Sequence, residues 1–342
     1  MRYPWANTAL LFLIALELLT GFASLTNGSA SFRWVVWLHG IGGFAIVALL
    51  PWKGAIIASA LARRRRLGIP DAAFVVLAVL LVATLGTGLI WTTAGRLLAG
   101  GYSLLTIHIA LAAATLGLLV WHVLAMRFIF GRRGALDRRA FLRLASSTAA
   151  GLVLWRAAGT ASTAFGLPGA QRRWTGSYPT GSIGVFPTVS WLADHPPPID
   201  PTNWLLVLDG EVARPLALTY AQIDGLSTDR LDAILDCTGG WYTNQSWQGI
   251  RVARLLEMAG ARRTARSLVV EAVSGYRRQF PLAEASRFLL ATRVGGEPLS
   301  HSHGFPVRLV APNHRGYDWV KWIVRVRVVN TPWFLQPPVP LQ

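Results

Sequence analysis

The sequence predicts two joined parts of different class: an N-terminal all-α transmembrane bundle, with four helices plus a weaker fifth, and a C-terminal α+β domain in water. Three observations predict this. The long apolar runs of the 342-residue chain are confined to residues 1–166. Four of those runs are long enough to cross a bilayer, which takes a helix of about 20 residues. From residue 171 onward the apolar residues come in short runs broken by Gly, Pro and Asp, the pattern of strands with a few short helices.

The four spanning runs are Trp5–Leu25, Trp34–Ile57, Ala72–Thr93 and Tyr102–Ile129, several of them bounded by Trp or Tyr as at a lipid–water boundary. Arg63 to Arg66 follow the second run, and Arg132 and Arg133 follow the fourth. Positive loops stay on the cytoplasmic side, so the links Thr26–Arg33 and Ala94–Gly101 are expected on the outer face. The fifth stretch, Leu144–Phe165, is interrupted by Arg156. The segment before it, Asp137-Arg138-Arg139-Ala140-Phe141-Leu142-Arg143, resembles a twin-arginine export signal. With or without that resemblance, the rest of the chain is directed to the periplasmic side of a bacterial-type inner membrane. The expected organisation is a bundle at 1–130, a signal-like segment and fifth helix at 131–170, an extended arm at 171–203, and the outer domain at 204–332.

The net charge of +17 does not indicate a nucleic-acid partner. The arginines cluster at the ends of apolar runs rather than along a stripe interleaved with stacking aromatics. The partners expected instead are the lipid bilayer, a membrane quinone and a small-molecule substrate. The single cysteine, Cys237, excludes an intramolecular disulfide. By itself a lone cysteine is most simply a small buried hydrophobe.

Three histidines fall inside the spanning runs, where ionisable side chains are costly and usually have a task. His39 lies five residues in from Trp34, about 7.5 Å deep, and His108 six residues in from Tyr102, about 9 Å deep. Both depths are measured from the outer side, so the pair is matched as two axial ligands of one haem iron would be. His122 lies 14 residues beyond His108, about 21 Å lower and on nearly the same helix face. The position 14 residues beyond His39 is Lys53, so a second bis-histidine site has no partner. One haem b is expected, with His122 left as a candidate for a second site or a quinone contact. The alternative is that all three are hydrogen-bonded structural residues. Residues 1–130 also resemble the small haem b membrane subunits that connect bacterial redox enzymes to quinone.

In the outer half, Trp204–Leu208 and Leu216–Thr219 read as strands around Asp209-Gly210, followed by a short turn or helix at Tyr220–Leu226. Leu231–Leu235 reads as a strand leading into Cys237, and Val252–Met258 as a helix stopped by Gly260. Leu268–Val273, Phe305–Val310 and Val320–Val329 are further strands, and Gly295-Gly296 marks a hairpin after Ala291–Val294. Neither a GxGxxG fingerprint nor a phosphate-binding P-loop is present, and the lone cysteine argues against zinc.

The segment Leu235-Asp236-Cys237-Thr238-Gly239-Gly240-Trp241-Tyr242, followed by Trp247-Gln248-Gly249-Ile250, resembles the cysteine loop of sulfite oxidase-type molybdopterin-binding domains. Gly275-Tyr276 with Phe280-Pro281-Leu282 resembles that family's active-site tyrosine segment. Gly296-Glu297-Pro298-Leu299, His303-Gly304-Phe305-Pro306-Val307-Arg308 and Val320-Lys321-Trp322 resemble its cofactor-binding stretches, so the resemblance covers about 190–330. It implies that the Cys237 thiolate binds molybdenum, that Gly239, Gly240, His303, Arg308 and Lys321 hold the molybdopterin, that Tyr276 donates a hydrogen bond or proton near the metal, and that Trp241 and Tyr242 wall the substrate pocket. The residue types suit these roles. A soft thiolate suits a redox metal, the arginine fork grips a phosphate through two oxygens, and lysine adds a compact charge. Lys321 is one of only two lysines in the chain, which marks it out where arginine is the default base.

The chain also departs from the family. Sulfite oxidases place an arginine a few residues past the cysteine, where this chain has Trp241 and Tyr242, and the arm Phe186-Pro187-Thr188-Val189-Ser190-Trp191 lacks the arginine of their substrate entrance. The expected activity is therefore two-electron oxygen-atom transfer coupled through haem b to quinone, leaning to reduction of a sulfoxide or N-oxide. Periplasmic methionine sulfoxide reductases, which share the fold and take electrons from a membrane haem protein, are similar in arrangement. The alternatives are a sulfite-type dehydrogenase and a non-catalytic membrane haem protein with an exported binding domain.

Overall fold

The computed structural model describes residues 4–61, 69–125, 138–190 and 194–340. The arginine runs at 63–66 and 132–133, Asp137 and Trp191 lie outside them. The chain divides into two compact units, built mainly from 1–178 and from 179–342.

The first unit contains five helices, α1 (Pro4–Thr26), α2 (Arg33–Leu61), α3 (Ile69–Ala94), α4 (Leu104–Ala125) and α5 (Arg138–Ala164). Among the described residues, α1 to α4 are long and apolar enough to cross a membrane. α5 is not one of these, because Arg138, Arg139, Arg143 and Arg156 and a run of small residues dilute its apolar face. Leu10, Leu13 and Ile14 of α1 pack on Ala45, Ile46 and Leu49 of α2, with Leu81, Leu85 and Leu119 against them. α5 lies on α2 at a close approach set by Gly151. A Cβ there would sit 2.5 Å from the Ile41 carbonyl oxygen, so only glycine lets the backbones meet. The expected outer link at Ala94–Gly101 contains a small hairpin, β1 (Leu98–Ala99) with β2 (Tyr102–Ser103), so the fourth helix starts at Leu104 rather than Tyr102. The first part of the expected extended arm is tied back to α3. The Trp91 indole N–H donates to the Gly176 carbonyl at 2.8 Å, and the Tyr178 hydroxyl donates to the Trp91 carbonyl.

The two-residue strand β3 (Tyr178–Pro179) marks the boundary between the units. The second unit then runs β4 (Leu205–Gly210), β5 (Leu216–Thr219), α6 (Tyr220–Leu226), β6 (Asp229–Cys237), β7 (Trp241–Arg251), α7 (Val252–Ala259), β8 (Ser267–Ala272), β9 (Arg277–Pro281), α8 (Leu282–Ala285), β10 (Leu289–Val294), β11 (Glu297–Pro298), β12 (Arg308–Val310) and β13 (Ile323–Val329). One sheet has the order β5-β4-β13-β8-β9, with β13 parallel to β4 and the other pairs antiparallel. In the other, β7 lies between β6 and β10, and β10 also pairs with β11 and β12. Leu206, Leu208, Val270 and Val326 from the first sheet and Trp247, Ile250, Leu290 and Leu309 from the second are buried in one core.

Local chemistry sets these boundaries. Thr219 and Gln222 form a reciprocal capping box that starts α6, and Gly260, at φ +67°, ends α7. The expected strand at Phe305–Val310 is shorter, beginning at Arg308, because Pro306 has no N–H to give to a ladder. The strand expected from Val320 begins at Ile323, after Trp322 takes a left-handed turn at φ +53°. The principal element missed is β7. Its eleven residues, Trp241–Arg251, carry the polar sequence Thr243-Asn244-Gln245-Ser246 on a strand flanked by two partners. Inter-strand pairing decides that segment rather than residue preference.

Candidate functional site

Cys237 is the last residue of β6 and pairs across to Trp241, the first of β7, so the hairpin turn Thr238-Gly239-Gly240 sits at the end of two sheet strands. Gly240, at φ +86°, closes the turn and donates to the Cys237 carbonyl at 3.1 Å. The Gly239 N–H donates to the Cys237 sulfur at 3.3 Å, a contact that favours the thiolate. From behind, Arg315 braces the strand end. Its guanidinium pairs with Asp236 at 2.7 Å, both groups almost wholly buried, and reaches the Cys237 carbonyl at 3.4 Å.

Cys237 opens onto a cavity of about 640 Å³, continuous with solvent. Its wall includes Trp241, Tyr276, His303, Arg308 and Lys321 of the residues expected from the sequence. The arm contributes as well, through Phe186 to Ser190, and so does Asp194. Tyr242 is not in the wall. The next position along a strand faces the opposite side, and Trp241 takes the inward one.

The cavity's cations are held in place. Lys321 is 8% exposed, and its ammonium donates to the Ser190 hydroxyl at 2.8 Å and to the carbonyls of Ser302 and Val189 at 3.2 and 3.3 Å. Burial and the nearby Arg308 charge bring its pKa down to about 8, against the opposing pull of Asp194 and Cys237. Arg308 lies against the rings of Trp247 and Trp319, with 5.0 and 5.9 Å to their centroids, and donates to the His303 carbonyl at 3.0 Å. Burial pushes its guanidinium down to about 9. His303 has both ring nitrogens engaged, Nε2 with the Phe186 carbonyl at 3.1 Å and Nδ1 with the Ser300 hydroxyl at 2.7 Å. It therefore braces the arm against the cavity. The Tyr276 hydroxyl donates to the Tyr317 carbonyl at 2.6 Å, and burial raises its pKa far above the usual phenol range. As placed it offers the cavity oxygen lone pairs rather than a proton, unlike the donor role expected from the sequence.

Among the described residues that line the cavity, three carry a buried donor without a hydrogen-bond partner: Trp241 Nε1, Arg308 Nε and Trp319 Nε1. Native interiors seldom strand such groups, so three around one cavity call for an acceptor-rich ligand. A pterin with its phosphate meets that need, and the soft sulfur beside it suits molybdenum. The donor set fits the group. Asp194, Arg315 and the Ser190 hydroxyl were not anticipated. Their parts depend on contacts between segments far apart in sequence, and nothing in their local pattern signals them.

The first unit carries a second constellation. His39 and His108 face each other with ring centroids 6.2 Å apart and planes at 83°. His39 Nδ1 lies 3.1 Å from the Glu17 carbonyl, 3.0 Å from the Glu17 carboxyl and 3.3 Å from the Thr20 hydroxyl. His108 Nδ1 lies 2.9 Å from the Thr84 carbonyl and 3.3 Å from the Thr87 hydroxyl. A carbonyl only accepts, so each Nδ1 carries the hydrogen and each neutral ring keeps its Nε2 lone pair for a metal. Gly21 and Gly88 make room for the rings, since a Cβ at either would come within 3.1 Å of the imidazole Cε1. His122 is elsewhere, its ring 6.0 Å from that of Phe74, which the Lys53 ammonium also approaches at 5.4 Å.

Residues 193–334 match the family model of the oxidoreductase molybdopterin binding domain. The uncharacterized oxidoreductase YuiH of Bacillus subtilis is 32% identical over 127 residues, 36% of this chain and 64% of that protein. The mitochondrial sulfite oxidase of Rattus norvegicus is 35% identical over 106 residues, covering 28% of this chain and 19% of the enzyme. Nitrate reductase [NADH] 1 of Phaseolus vulgaris is 25% identical over 163 residues, covering 37% and 18%. The chain thus spans less than two thirds of the length of each. Residues 193–334, which hold Cys237 and most of the cavity wall, form a molybdopterin-binding domain homologous to those of the oxidoreductases sulfite oxidase and nitrate reductase.

Proposed function

We propose that the chain is a membrane-anchored molybdenum–pterin oxidoreductase that reduces a small oxide, a sulfoxide or an N-oxide, on the periplasmic side with electrons drawn from membrane quinol through one haem b. The observation that carries the reading is the cavity at Cys237, whose described wall residues include one thiol and three that hold a buried donor without a partner. In it Cys237 would hold molybdenum through sulfur, and Arg308, Lys321, Trp241 and Trp319 would hold the pterin and its phosphate. When bound, this group supplies two-electron oxygen-atom transfer. Overall, the oxide takes up two electrons and two protons and yields the reduced product and water. The protein's share is positioning. Gly239 N–H donates to the sulfur, Arg315 and Asp236 lock the strand end that carries it, and Trp241 walls the pocket beside it.

The haem reading is supported by an independent geometric requirement. Two imidazoles that shared one metal through bonds of about 2 Å, with roughly 1 Å from nitrogen to ring centre, would have their centroids ~6 Å apart. His39 and His108 stand at 6.2 Å with their Nε2 atoms available. His122 has no histidine facing it among the described residues, which supports one haem rather than two.

The test is a metal and haem analysis of the purified full chain, followed by Cys237→Ser. One molybdenum and one haem per chain are expected, with turnover lost in the variant. Protein without molybdenum, or a Ser variant of undiminished activity, defeats the reading. A substrate screen with reduced and oxidised dyes fixes the direction, and oxidation of sulfite as the sole reaction favours a dehydrogenase.

A further inference from the structure

We propose that Asp194 sets the charge of the substrate, so that the cavity takes a neutral or positively charged oxide, an amine N-oxide best of all, and refuses oxyanions such as sulfite and sulfate. This rests on the molybdenum–pterin reading of the cavity and deepens it by naming the substrate class.

Asp194 is 6% exposed and lies in the cavity wall with Cys237, Thr238, Trp241 and Tyr276. It is the one carboxylate among the described residues of that wall. Its Oδ1 accepts from the Ser274 hydroxyl, and the Ser274 oxygen in turn accepts from the Tyr276 N–H at 3.4 Å, so the carboxylate is fixed to the segment that carries Tyr276. The cations of the cavity hydrogen-bond to other groups. Lys321, which also feels the Asp194 charge, donates to Val189, Ser190 and Ser302, and Arg308 lies against two indoles and donates to the His303 carbonyl.

Beside Asp194 the Tyr276 hydroxyl gives its proton to Tyr317, so its free side is also an acceptor. This part of the wall therefore presents negative charge and lone pairs. An oxyanion entering here meets like charge in a medium less polar than water, where repulsion is strong. An amine N-oxide carries its formal positive charge on a nitrogen surrounded by alkyl groups. That centre is drawn to the carboxylate and to the face of the Trp241 indole. In its reduction the N–O bond breaks, two O–H bonds form to give water, and the amine leaves. The two electrons and two protons come from a quinol, which is oxidised to the quinone.

The experiment is calorimetric titration of the full, cofactor-loaded chain in detergent with trimethylamine N-oxide and with sodium sulfate, for wild type and Asp194→Asn, with molybdenum assayed in both. Wild type should bind the N-oxide at least about tenfold more tightly than sulfate, and the Asn variant should weaken the N-oxide and strengthen sulfate by about tenfold each. Equal affinities in the two proteins at equal molybdenum content overturn the proposal. Wild type alone supplies a second arm. Tetramethylammonium chloride should displace the N-oxide where sodium sulfate of equal ionic strength does not, and displacement by sulfate alone is also fatal. Binding with the expected preference but with no N-oxide reduced by quinol counts against the reductase reading and leaves the role of Asp194 standing.

Discussion

Trp241 and His314 show how single side chains divide between function and stability. The Trp241 indole N–H is buried without a partner, a penalty tolerated only if a ligand accepts from it. Trp241→Phe removes that donor while keeping an aromatic wall. It is expected to loosen the pterin by about tenfold, measured as molybdenum and pterin retained after prolonged dialysis. Unchanged retention would mean that the donor faces nothing. His314 serves the scaffold instead. Its Nδ1 meets Asp318 at 3.1 Å and its Nε2 meets Glu284 at 2.9 Å, with Phe280 and Phe288 edge-on to the ring. Burial alone would lower its pKa, but the two carboxylates outweigh burial and raise it to about 9. A group whose pKa rises on folding stabilises fully below its unfolded value, near 6.5. The benefit declines as pH rises from there and is gone above about 9. Urea unfolding should therefore show about 3 kcal/mol of stability lost from His314 between pH 6 and 10, and His314→Gln should flatten that slope. A variant with the same slope as wild type would assign it to another group.

At the scale of the elements, the helices of the first unit depend on where side chains are absent. Gly88 on α3 faces the His108 ring, and Gly21 on α1 faces that of His39. Gly88→Val is expected to push the imidazole off its position and abolish the reduced-minus-oxidised haem b spectrum while the helical circular dichroism stays intact. A normal spectrum in that variant would count against His108 as a ligand. The sheet of the second unit works in the opposite sense. β6 is paired with β7 along its whole length, which fixes the turn next to Cys237 between two rigid strands. A thiol on a mobile loop would lose that orientation, and positioning of this kind is a large part of what a protein adds to a cofactor's own chemistry.

For the whole molecule, the proposed haem site in one unit and molybdenum–pterin site in the other predict a clean dissociation of properties. His39→Ala should lose the haem and all quinol-driven turnover. It should keep its molybdenum and its turnover with a reduced viologen dye, within about twofold of wild type, because the second unit has its own core. Loss of molybdenum in that variant would show that the two sites depend on each other for assembly.

The sequence by itself determined the four long apolar helices, the strands β4 and β5, the α7 stop at Gly260 and the segment that holds Cys237. All of these are written locally, in run length, periodicity, turn residues or contiguous motifs. It also gave His39 and His108 one expected depth, because helical rise converts spacing into distance, and the structure brings their rings to 6.2 Å. Only the tertiary structure decided that Tyr276 gives its proton to Tyr317, that Asp236 and Arg315 brace the cysteine, that Tyr242 turns away from the cavity and that Asp194 turns toward it. These are contacts between residues as many as 80 positions apart, as between Asp194 and Ser274. Local propensity carries no information about which distant partner a polar group will find. That is settled by the packing of the two sheets, which leaves each buried donor and acceptor a single neighbour or a ligand.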